Sequence, residues 1–105
     1  MLAGPGNQNT VWTADKSCCL VRPYDETWYV YHRVSGETHI LNFLSYEIFE
    51  ILCDTPLKSS ELAQTVWRAL DLTEEDCPLS LIDHTLNDMD NVGLISPLDH
   101  SYKCA

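Results

Sequence analysis

Basic residues are scarce in this chain. Six lysines and arginines face sixteen aspartates and glutamates, for a formal net charge of −10. A surface of that sign repels phosphate backbones and anionic lipid at long range. From Asp76 to Val92 there is no lysine or arginine at all, while Asp76, Asp83, Asp88 and Asp90 add four acids. Long apolar runs are missing too, and none approaches the ~20 residues of a membrane span. The opening MLAGPGNQNT has neither the base nor the apolar stretch of a signal peptide, which predicts a cytoplasmic protein. The five cysteines, Cys18, Cys19, Cys53, Cys77 and Cys104, contain no C-x-x-C and no Cys/His pair at zinc-site spacing. They read as reduced thiols, with no metal and no cofactor. No serine or cysteine nucleophile stands with a base and an orienting group, so no catalytic residue is expected.

What is present is enough for one domain. A chain of 105 residues can bury roughly two-thirds of its unfolded surface. The expected organisation is a loose tail over 1–10, a folded domain over 11–97 and a polar tail over 98–105. Val11 to Ala14 is a short strand or an irregular arm. Cys19 to Arg22 is a first strand, and Pro23 to Glu26 a turn. Thr27 to His32, TWYVYH, is the strongest strand, β-branched and aromatic throughout. Both its faces look apolar enough to be covered, as in a central strand. Arg33 to Gly36 makes the next turn, with Gly36 able to take positive φ. Thr38 to Leu41 is a second edge of the sheet, and Asn42 can cap the helix behind it.

The pattern then becomes helical. Leu44, Ile48, Ile51 and Leu52 share one face, and Thr55-Pro56 stops that helix. Ser59 or Ser60 is expected to cap a second helix, with Leu62, Val66 and Leu70 as its buried stripe. Asp76 is expected to cap a third, with Pro78 in its first turn and Leu79, Ile82, Leu86 and Met89 inside. Gly93 ends it, and Leu94-Ile95 returns to the core. The order is α+β and winged-helix-like: a three-stranded antiparallel sheet followed by three helices.

Trp12, the strand WYVYH and the run S-G-E-T-H-I-L-N from Ser35 to Asn42, closed by Gly93-Leu94-Ile95, carry a resemblance. The chain resembles the PQQ-synthesis protein D (PqqD) family of peptide chaperones, the RiPP recognition elements. It is most similar to the members of the HPr-rel-A system, found beside an HPr-kinase-related protein. Arg33-Val34 departs from the proline-containing pair of that pattern. The resemblance implies a non-catalytic chaperone. A precursor or substrate peptide docks as an added strand on the third strand, in a groove shared with the third helix, and is handed to a modifying enzyme.

Applied to this chain, the implied peptide-binding residues are Thr38, His39, Ile40, Leu41, Asp83, Leu86 and Asp90. The edge also invites pairing between two copies, a possible homodimer. The alternative is a winged-helix nucleic-acid-binding regulator, since the helix order suits one. The acidic third helix opposes it, because DNA binding relies on several cationic contacts to phosphate.

Overall fold

In chain order the elements are β1 (Val11–Thr13), a 3-10 turn (Lys16–Cys18), β2 (Cys19–Tyr24), β3 (Thr27–His32), β4 (Glu37–Leu41), α1 (Phe43–Asp54), β5 (Leu57–Lys58), α2 (Ser59–Leu70), α3 (Leu79–Asn91) and β6 (Ser96–Pro97). The computed structural model describes residues 10–98. Of the tails expected over 1–10 and 98–105, residues 1–9 and 99–105 lie outside the described residues. The α+β class and the order of three helices after a three-stranded antiparallel sheet are as expected. That sheet runs β2-β3-β4, with β3 in the centre. A second antiparallel sheet, β5-β1-β6, was not expected.

β2 and β3 meet in a two-residue turn. Asp25 and Glu26 both have positive φ, 52° and 63°, as a type I′ hairpin requires. The turn expected over Pro23–Glu26 is thus corrected: Pro23 and Tyr24 belong to β2, opposite Trp28 and Thr27. Tyr24 and Thr27 close the turn as a hydrogen-bonded pair, and such pairs recur at every second residue. Leu20, Arg22 and Tyr24 therefore turn their backbone groups toward β3. Cys19, Val21 and Pro23 turn theirs to the outer edge, where the missing proline donor breaks no ladder bond. Gly36, with φ 75°, closes the next turn, and its N–H donates to the His32 carbonyl at 2.8 Å.

Asn42 caps α1 as expected, its Oδ1 accepting from the Ser45 N–H at 2.9 Å. α1 packs across β3 and β4 on the inner face of the sheet. Trp28 stacks on Tyr46 with ring centroids 4.7 Å apart and planes 2° from parallel. Val30, Leu41, Ile48, Phe49 and Leu52 are buried there. Each such side chain contributes about 1.5–3 kcal/mol when fully buried.

Two helix starts differ from expectation. Lys58, not Ser59 or Ser60, is the N-cap of α2. Its N–H donates to Glu61 Oε1 at 3.1 Å, because β5 runs directly into the helix and draws Ser59 into the buried first turn. Pro78, not Asp76, is the N-cap of α3. Asp76 is taken up by Thr73 instead. Asp76 Oδ2 accepts from the Thr73 N–H, and Thr73 Oγ1 accepts from the Asp76 N–H, each at 3.2 Å. α2 and α3 pack together through Leu62, Val66, Ile82 and Leu86. Gly93 follows the end of α3 with φ 81°, and the Leu94 N–H donates to the Met89 carbonyl at 3.0 Å. Leu94 and Ile95 are buried, as expected.

Candidate functional site

The register fixes what the edge strand β4 offers. Trp28 pairs with Leu41, Val30 with His39 and His32 with Glu37. Since Trp28, Val30 and His32 turn their backbone groups away from β2, these are the hydrogen-bonded pairs of the β3–β4 ladder. Thr38 and Ile40 then direct N–H and C=O to the free side. The opposite edge, β2, presents Pro23 at the equivalent outward position. The two edges therefore differ: β2 is interrupted by a residue without a donor, and β4 is not.

The side chains of β4 divide between two faces. Glu37, His39 and Leu41 lie on the inner face with Trp28, Val30 and His32. Leu41 is buried and His39 half-buried. His39 Nε2 stands 3.5 Å from Glu37 Oε1 and makes no hydrogen bond among the described residues. Thr38 and Ile40 lie on the outer face with Tyr29 and Tyr31, and are exposed. Ile40 is 62% exposed, Tyr29 37% and Tyr31 40%. The cover expected over both faces of β3 is thus corrected: one face is packed and the other is open. Tyrosine suits such a position, with an apolar ring and a hydroxyl that keeps its water.

On α3 the expected site residues separate. Leu86 is 1% exposed and belongs to the core with Ile82 and Met89. It is therefore no wall of an accessible groove, which corrects its expected contact with a ligand. Asp83, Asn87 and Asp90 follow one another at i, i+4 and i+7, all half-buried. Asp83 Oδ1 is buried without a hydrogen-bond partner among the described residues. Burial holds the Asp90 carboxyl above its ordinary value. Asp88 is exposed and faces His84 at 3.3 Å. The acidic face is therefore solvated at Asp88 and partly desolvated at Asp83 and Asp90.

A second polar cluster joins the 3-10 turn to α1. Glu50 Oε2 accepts from Lys16 Nζ at 2.6 Å and from the Tyr46 hydroxyl. The Lys16 hydrogen bond first, and the Tyr46 one second, hold the Glu50 carboxyl below its ordinary range. Burial, then the Glu50 hydrogen bond, raises the Tyr46 phenol. Burial pushes the neighbouring Cys53 thiol up to about 12, against Lys16, which makes it a poor nucleophile. Among the described residues no three His, Cys, Asp or Glu side chains converge as a metal cage. No described helix is long and apolar enough to cross a membrane.

Sequence reasoning missed both the blocked edge of β2 and the open tyrosine face. The signal for the first was weak: Asp25 tolerates the left-handed backbone of a two-residue turn, but Glu26 in place of glycine hides it, and with it the position of Pro23 inside the strand. In comparison with known proteins, no family model, no curated protein and no solved structure matches the chain.

Proposed function

We propose that the protein is a non-catalytic, cytoplasmic peptide-binding adaptor. It accepts an extended segment of a precursor or substrate peptide as an added strand on β4 and presents it to a modifying enzyme. The HPr-kinase-related protein of the resembled system is the candidate enzyme. The observation that carries this reading is the contrast between the edges: β4 offers an unbroken row of backbone groups, and β2 carries Pro23. The PqqD-like resemblance of Ser35 to Asn42 falls on that same strand.

Magnitudes limit what the edge can do alone. Thr38 and Ile40 together offer four outward backbone hydrogen bonds, worth about 2–6 kcal/mol net. Association costs about 4 kcal/mol or more. Micromolar binding requires about −8 kcal/mol. Side-chain contacts must therefore supply most of the affinity.

The test is a two-stage one. The chain serves as bait to capture a peptide, and the captured peptide is titrated into isotope-labelled protein. Amide shifts are expected to cluster at residues 38–42. Shifts clustered instead on α2, around Leu62 to Leu70, would overturn strand addition.

A further inference from the structure

The apolar surface continuous with the β4 edge lies on the outer face of the sheet, away from the helices. The register sets Leu20, Tyr31 and Thr38 in one row and Arg22, Tyr29 and Ile40 in the next. Tyr24 meets Tyr29 edge-on, with ring centroids 6.4 Å apart. On the inner face the apolar residues next to β4 are already used: Val30 and Leu41 are buried, and Leu86 is core. An added strand places alternate side chains on the face shared by Thr38 and Ile40. Those side chains find open apolar surface there.

We propose that the peptide bound at β4 is read on this outer face, and that it is apolar on that side and cationic on the other; this rests on the strand-addition reading above. The residue opposite Ile40 is apolar and extends the surface of Tyr29. The residue opposite Thr38 is large, because it must reach over a small side chain to Tyr31. Directly opposed side chains sit ~5 Å apart and diagonal ones ~7–8 Å, within reach of an aromatic ring. On the inner side the ligand passes Glu37, whose side chain is 65% exposed and stands 3.5 Å from half-buried His39. A lysine or arginine opposite Glu37 meets that carboxylate and the acidic balance of sixteen acids to six bases. The outer residues of β3 and β4, Thr27, Tyr29, Tyr31, Thr38 and Ile40, carry no charge.

A second copy fits this face less well. Three strands ~4.8 Å apart and about six residues long cover roughly 300 Å², against ~800 Å² per partner in a standard stable interface. Face-to-face pairing would also bring together two molecules of net charge −10, which repel each other.

The probe is a capped nine-residue peptide alternating lysine with isoleucine or tyrosine. Its controls replace lysine by glutamate, or isoleucine and tyrosine by serine. Each is titrated by NMR at low salt. The lysine probe is expected to shift the amides of Thr38 to Leu41, the Ile40 methyls and the rings of Tyr29 and Tyr31. Both controls, and the Ile40→Ser and Tyr31→Ser proteins, are expected to bind about tenfold more weakly. Ile40 and Tyr31 are exposed, so the variants keep the fold, checked by their unchanged remaining amide spectra. Shifts at Thr38 to Leu41 with full affinity retained by both variants would overturn the outer-face reading and leave strand addition standing. No shift on β4 with any probe would overturn both. A concentration-dependent dimer in sedimentation, abolished by Ile40→Ser, would assign the face to a second copy and overturn the proposal.

Discussion

Glu50 shows how one side chain ties separate parts of the chain together. Its carboxylate receives Lys16 from the 3-10 turn and Tyr46 from its own helix, and Tyr46 carries the stack against Trp28 of the sheet. The folded carboxyl is held below its ordinary 4.5, chiefly by the Lys16 hydrogen bond and then by Tyr46. A carboxyl depressed in the folded state contributes stability above its unfolded value and loses it as pH falls through the folded value. The side chains are well exposed, 44% for Lys16 and 36% for Glu50, so solvent screening limits the effect to about 1 kcal/mol or less. Glu50→Gln is expected to be less stable than the parent by that amount at neutral pH. The difference should shrink as pH falls below 4.5. Urea unfolding at a series of pH values measures it, and a difference that stays constant into acid would show that the Glu50 charge is not its source.

At the scale of elements, β2 and β4 bracket the same central strand with opposite edge chemistry. Pro23 sits where its lack of an N–H costs no ladder bond, and the register gives Ile40 the same outward setting on β4. His39 is the converse, turned inward to pair with Val30. Ile40→Pro is therefore expected to cost less than half the stability that His39→Pro costs, since only the second leaves a Val30 backbone group unpaired, worth about 1–3 kcal/mol. Denaturation midpoints decide it, and equal losses would place the ladder bonds of β4 at Thr38 and Ile40 instead. The elements with strong periodicity were legible: TWYVYH as the central strand, Asn42 as a cap, the stripes of α1, α2 and α3, and Gly93 as a stop. The helix starts at Lys58 and Pro78 were not, because Ser59 and Asp76 are good caps in isolation and lost to β5 and to Thr73. The tyrosine face was misread for a related reason. Tyr29 and Tyr31 count as apolar strand formers, yet their hydroxyls let that face meet water.

Across the whole molecule, the least legible feature is the small sheet. β1 pairs Trp12 with Leu57 on one side and with Pro97 on the other, joining three pieces of chain of two or three residues each. So short a strand has no periodicity to read, and its partners are distant in sequence. The site was legible in part: local pattern placed Thr38 to Leu41 on an edge and Leu86 on the inward stripe of α3, while the ligand contact that the resemblance implied for Leu86 does not fit a side chain 1% exposed. Trp12, expected in a short strand or an irregular arm near the chain's beginning and read as a packing residue, is in a strand and fully buried at the meeting of β5, β6 and α1. The Ala14 N–H reaches the Leu52 carbonyl at 3.4 Å beside it. Replacing a buried tryptophan by alanine costs about 3–5 kcal/mol, a large share of the ~5–15 kcal/mol that holds a domain together. Trp12→Ala is therefore expected to lower stability by that amount in a single cooperative transition, with Val30 and Phe49 amides losing exchange protection together with Leu57. If β1 were only an arm laid on an independent core, the loss would stay below about 1 kcal/mol and protection at Val30 and Phe49 would persist.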